Sequence, residues 1–138
     1  MENSNWKEYS LAEVYSFSSG LSKSADQFGF GYSFVSFKEV FRNYFLPKRL
    51  ESLVNTTEKE RNTFSVKRGD VFLTRTSETQ EELGMSSVAL LDYPDATFNG
   101  FTKRLRPKGN IEIYPEYAGY YFRSKKFRAI PKKFSYNN

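Results

Sequence analysis

Apolar positions along this chain come in short bursts, and the spacing inside each burst predicts an element. Ser33-Phe34-Val35-Ser36-Phe37 alternates polar and apolar side chains, the period of a strand with one buried face. Val71-Phe72-Leu73 is an apolar run too short for a helix and rich in strand formers. A tight turn at Gly69-Asp70 precedes it, and the polar loop Thr74-Arg75-Thr76-Ser77 follows. Leu50 to Val54 and Ile111-Glu112-Ile113 read as further short strands, and Met85 to Leu91 as another, nearly continuously apolar from Val88 to Leu91. Thr97-Phe98 and Phe101 to Arg106 flank Asn99-Gly100, a hairpin-turn dipeptide. In the second arm, alternation puts Phe101, Lys103 and Leu105 on one face. Thr102, Arg104 and Arg106 take the other, with two arginines side by side.

Helical spacing is rarer. Leu11 to Val14 is long enough for one turn. Val40, Phe41, Tyr44 and Phe45 fit a short helix or turn ended by Pro47. Thr57-Glu58-Lys59-Glu60 is a capping box, which predicts a helix over 58–63, and Ser77 to Gln80 is a second, predicting one that stops near Gly84. Pro115 suits a first helical turn. Tyr117, Tyr120, Tyr121, Ser124 and Phe127 then recur at three- and four-residue spacing among Arg123, Lys125, Lys126 and Arg128. This predicts a basic amphipathic helix over 115–128, ended by Pro131. Short strands and short helices without a βαβ rhythm give an α+β fold: a single domain with a curved, mostly antiparallel sheet and short peripheral helices.

Composition narrows the chemistry. The 138 residues fit one domain with a core of its own. There is no cysteine and no histidine. That excludes disulfides, thiolate nucleophiles, Cys-ligated zinc and a Ser-His-Asp triad. Asp70, Asp92 and Asp95 are the carboxylates available for a hard cation, but Gly-Asp and Tyr-Pro-Asp turns need no catalytic explanation. No cofactor is expected. The polar start Met1 to Trp6 has no signal-peptide core, and no apolar run is of bilayer length, so a cytoplasmic protein without membrane contact is expected.

Aromatic residues make up 18% of the chain, with 14 Phe and 10 Tyr, enough that some tyrosines stay near the surface. The net charge of +5 is uneven: residues 97–138 carry 10 Lys or Arg against 2 Asp or Glu, a net of +8. Such a segment presents a field to an anionic polymer or simply solubilises the chain. The loop Ser16 to Ser24 has small hydroxyls, Gly20 and Lys23, a set suited to phosphates or to a plain connector. Phe28-Gly29-Phe30-Gly31-Tyr32 lacks the glycine-rich helix start of a nucleotide-binding loop. Arg75 stands among three hydroxyls, and a guanidinium fork matches phosphate and base edges alike.

In order, Trp6, Leu11-Ala12-Glu13, the Ser-Gly loop, Phe34 to Val40, Val66 to Thr79, Phe98 to Pro107 and Pro115 to Ser124 form a combination with a known likeness. Over residues 6–128 the chain resembles the target recognition domain of the DNA-specificity subunit of type I restriction–modification systems. Gly69 to Ser77 is its best single piece. The resemblance implies sequence-specific binding of double-stranded DNA, reading part of a split site, with no catalysis of its own. It implies a methyltransferase subunit as partner, with a restriction subunit reached through it; the aromatic surface separately leaves a homodimer as an option. In that family long spacer helices and a second recognition domain follow; here residues 1–130 would form one recognition domain and 131–138 a disordered or truncated tail.

On this reading Ser19, Lys23, Lys38 and Arg42 meet phosphates together with Lys103 and Arg106, and Arg75 and Arg104 reach base edges, with Thr76 and Ser77 adding short hydrogen bonds. The alternative is a protein-interaction fragment that docks a methyltransferase subunit or self-associates without binding DNA alone.

Overall fold

The computed structural model describes residues 11–74 and 85–124. In chain order it contains α1 (Leu11–Val14), β1 (Tyr15–Ser19), a 3-10 turn (Ala25–Gln27), β2 (Phe28–Val35), α2 (Phe37–Arg42), β3 (Leu53–Val54), α3 (Glu58–Thr63), β4 (Val71–Thr74), β5 (Ser86–Val88), β6 (Thr97–Phe98), β7 (Thr102–Pro107) and α4 (Pro115–Tyr121). The α+β class expected from the sequence is present, but the strands divide into two sheets. One is antiparallel with the order β1-β7-β4-β5, and the other has the order β3-β2-β6 with β6 parallel to β2.

β4 sits inside the first sheet, and its alternation feeds two cores. Phe72 joins Val35, Val40, Leu46, Val66 and Phe98 on one face, where the Phe72 and Phe98 rings lie 5.3 Å apart. Val71 and Leu73 join Tyr15, Val88, Leu105 and Phe122 on the other. Burial of both faces explains why this strand reads as an unbroken apolar run. Phe98 in turn links the second sheet to the first core.

The capping box at Thr57 forms as expected. The Thr57 hydroxyl accepts from the Glu60 amide, and the Glu60 carboxylate accepts from the Thr57 amide, starting a helix over Glu58–Thr63. Ser36 and Glu39 make a second box ahead of α2, one residue earlier than the apolar spacing implied. α2 stops at Arg42 rather than running on toward Pro47. Tyr44 to Leu46 instead extends along the edge of β5, where the Val88 amide donates to the Tyr44 carbonyl and the Leu46 amide to the Val88 carbonyl.

Other expectations change. Asn99-Gly100 does turn the chain, with the Thr102 amide donating to the Asn99 carbonyl at 3.1 Å. Its arms do not pair with each other, however. β6 lies beside β2 and β7 between β1 and β4, so the turn carries the chain from one sheet to the other. The predicted strands over 50–54 and 85–91 shorten to Leu53–Val54 and Ser86–Val88, and residues 111–113 pack Ile111 and Ile113 on the core without strand pairing. The last helix ends at Tyr121 instead of residue 128. The Arg123 and Ser124 amides donate three residues back, to Tyr120 and Tyr121, tightening the final turn. The Arg123 guanidinium is pulled onto the carbonyls of Ser86, Val40, Phe41 and Asn43. The predicted second capping box at Ser77 lies outside the described residues. No helix among the described residues is long and apolar enough to cross a membrane.

Candidate nucleic-acid interface

Strand register collects the candidate loops at one end of the four-stranded sheet. Ser19 pairs with Lys103, Leu73 also pairs with Lys103, and Thr74 pairs with Thr102. The end of β1, the end of β4 and the start of β7 therefore lie together. The Ser-Gly loop leaves β1 here, the Asn99-Gly100-Phe101 turn enters β7 here, and the chain toward Arg75 leaves β4 here.

The loop and the turn interlock through backbone. The Leu21 amide donates to the Phe98 carbonyl at 2.8 Å, and Leu21 bridges Asn99 in parallel. A Cβ on Gly20 would overlap the Asn99 carbonyl, so glycine is required there for close approach, while one on Gly100 would stand 2.6 Å from the Ser22 hydroxyl, which would have to turn aside. The turn is also bonded internally. The Phe101 amide donates to the Asn99 side-chain carbonyl at 3.0 Å, and the Thr102 hydroxyl to the Asn99 backbone carbonyl at 3.0 Å. Lys23 reaches Glu60 at 3.1 Å and so brings the first turn of α3 to the same end. The Thr57 amide and Lys23 together hold the Glu60 carboxyl below its ordinary range.

The site residues expected from the sequence fall into three groups. Ser19 is exposed at the end of β1, and Lys23 is half-buried on the adjoining loop. Lys38 and Arg42 are exposed on α2, on the β5 side of the molecule. Arg75, Thr76 and Ser77 lie outside the described residues.

Lys103, Arg104 and Arg106 face inward, which the sequence did not anticipate. Lys103 is buried on the strand face it shares with Leu105. Arg104 is 7% exposed and donates to the carbonyls of Ser65 and Thr63 and to the Ser18 hydroxyl, with its guanidinium 5.1 Å over the Phe98 ring. Arg106 forks onto Asp70 and also donates to the Ser65 carbonyl. The two arginines do share a face, as alternation requires, but residues 63–65 and the Asp70 turn cover it. The bond to Asp70 raises the Arg106 guanidinium, while burial and the neighbouring Arg106 charge lower Arg104; both remain cations. Arg104 and Arg106 tie the central strand β7 to residues 63–65 and to the Asp70 turn. Among the described residues no cluster of three or more carboxylates could hold a metal ion.

Sequence reasoning did not single out Phe101. It is 61% exposed at the tip of the interlocked turn, and the signal available was an aromatic directly after a turn dipeptide.

This α+β fold has counterparts among solved structures. The HsdS subunit from Thermoanaerobacter tengcongensis superposes with a TM-score of 0.58 at 19% identity, covering 87% of this chain and 30% of that one. A chain from a structure titled for complex assembly and conformational transition of the type I R-M system gives a TM-score of 0.56 at 21% identity, covering 89% and 30%. At these identities the likeness is one of fold, and this chain spans 30% of the length of either protein. No protein-family model matches the sequence, and no curated protein is significantly similar to it.

Proposed function

We propose that this chain is a DNA target recognition domain of a type I restriction–modification specificity subunit, reading part of a split site and working with a methyltransferase subunit in the cytoplasm. The observation that carries this reading is the fold likeness to HsdS over nearly the whole of this chain but only 30% of that subunit. That share fits one recognition domain of a protein that also contains a second one and spacer helices. The gathering of Ser19, Lys23 and the exit toward Arg75 at one sheet end supports the same reading.

In this account Ser19, Lys23, Lys38 and Arg42 meet phosphates and set the register on the duplex. Arg75, with Thr76 and Ser77, is the segment that reads base edges, since arginine's paired donors match guanine. Lys103, Arg104 and Arg106 act from beneath as braces. Catalysis belongs to partner subunits.

Selection from a pool of random duplexes by the purified chain, repeated with a type I methyltransferase subunit present, tests this. Enrichment of a short common sequence supports it; recovery of unrelated duplexes in both arms overturns it. A second reading, docking of a methyltransferase subunit or of another copy without DNA binding, draws on the exposed rings of Phe41, Tyr44, Tyr117 and Tyr120 on the β5 side. Light scattering on the eluting protein, alone and mixed with the methyltransferase subunit, tests that surface. A complex that survives substitution of Tyr44 and Tyr120 by alanine overturns it.

A further inference from the structure

An exposed aromatic ring is usually mobile or part of an apolar patch. Phe101 is neither. It is 61% exposed, yet the backbone under it is fixed from three sides. The Asn99 side chain holds the Phe101 amide, and the Thr102 amide and hydroxyl both hold the Asn99 carbonyl. Gly20 and Gly100 allow the Ser-Gly loop to press directly against the turn. Next to it in the fold stand short polar groups: Ser22 at Gly100, Asn99 itself and, at the end of β1, the exposed Ser19. A protein-docking patch needs contiguous apolar surface. An exposed ring carried on a hydrogen-bonded turn, with short polar groups beside it, suits a partner with a flat π face and polar edges, which describes a nucleobase.

We propose that Phe101 is a base-stacking residue, whose ring enters a base step of the bound duplex as an apolar wedge. The inference rests on the reading of this chain as a DNA-binding domain, and it adds a residue to that interface. The bonded turn matters because ordering a flexible backbone on binding would cost conformational entropy that these bonds have already removed.

The test uses the duplex recovered from the random pool, with 2-aminopurine placed at each position in turn. The unmodified chain should raise the fluorescence of one or two adjacent positions, as an unstacked base does, and Phe101→Trp should keep that signal. Phe101→Ala should abolish it and weaken binding about 5- to 150-fold, the range for loss of one stacked base. Tyr114, 63% exposed beyond the opposite end of β7, serves as control, and Tyr114→Ala should change neither readout. The thermal melt of each variant checks that the fold is intact.

A selective duplex with no 2-aminopurine response, or one that persists in Phe101→Ala, overturns the wedge and leaves DNA recognition standing. Unchanged DNA binding by Phe101→Ala with lost capture of a methyltransferase subunit would assign the ring to a protein interface instead. If the unmodified chain selects no duplex, the DNA reading itself fails, and the wedge with it.

Discussion

Arg106 holds Asp70 through two donors, Nε to Oδ1 at 2.8 Å and Nη2 to Oδ2 at 2.7 Å. Asp70 is fully buried, and its Oδ2 also accepts the Lys67 amide. The pair fixes the turn ahead of β4 against the central strand β7. Asp70→Ala should destabilise the fold by about 3–5 kcal/mol, because it strips a half-buried cation of its partner. Arg106→Ala strands the buried carboxylate in the same way. The double variant should cost clearly less than the sum of the singles, with a coupling of about 1–3 kcal/mol in a urea-unfolding cycle. Additive losses would mean that the two residues act separately.

Gly20→Ala should cost about 1–3 kcal/mol, because the new methyl group has no space beside the Asn99 carbonyl and the loop must shift. DNA affinity should fall as well, since Phe101 shares the displaced turn. Gly29→Ala provides a contrast. Open space surrounds Gly29, and only its positive φ of 102° resists a side chain. Its cost to stability should come without a loss of binding, read by anisotropy on the selected duplex.

The Glu60 carboxyl has a lowered pKa through the Thr57 amide and Lys23. The unfolded chain therefore takes up this proton at a higher pH than the folded one. The stabilisation is present above the ordinary value of 4.5 and is lost as pH falls below it through the folded-state pKa. Glu60→Gln should flatten that part of the acid limb of a stability–pH curve. An unchanged limb would argue against the link between α3 and Lys23.

The Tyr15 hydroxyl is buried without a hydrogen-bond partner among the described residues, and burial pushes the phenol up from its ordinary value. Its ring packs edge-on against Phe122 at 5.7 Å. Tyr15→Phe keeps that packing and removes the unpaired group, so it should be neutral or stabilising by up to about 1 kcal/mol. A loss of more than about 1 kcal/mol in denaturant unfolding would reveal a bond that the hydroxyl makes.

Capping and turn signals in the sequence carried through to the structure, while element lengths and strand partners did not. The Thr57 capping box and the turn before Val71 depend on residues within a few positions, and both form as expected. The Asn99-Gly100 turn was legible too, but its arms pair with strands elsewhere in the chain, at Phe34 and Val35, Tyr15 to Ser19 and Val71 to Thr74, rather than with each other. Alternation placed Arg104 and Arg106 on one face and could not say what covers it; the cover is Ser65. Arg123 read as one more cation on a helix, yet it holds carbonyls that are 37 to 83 positions upstream. For the candidate site, Ser19 and Lys23 were legible from loop composition. Phe101 was not, because its exposure follows from the crossing between sheets.

The specificity ratio tests the central claim most directly: the affinity of the chain for its selected duplex over that for a scrambled duplex, at one fixed salt concentration. A sequence-reading domain should prefer the selected duplex by about 10³-fold or more, with each mismatched base pair costing about 1–3 kcal/mol. Lys23→Ala should weaken both duplexes alike and reduce the salt slope by about one. Equal affinity for the two duplexes would contradict the account.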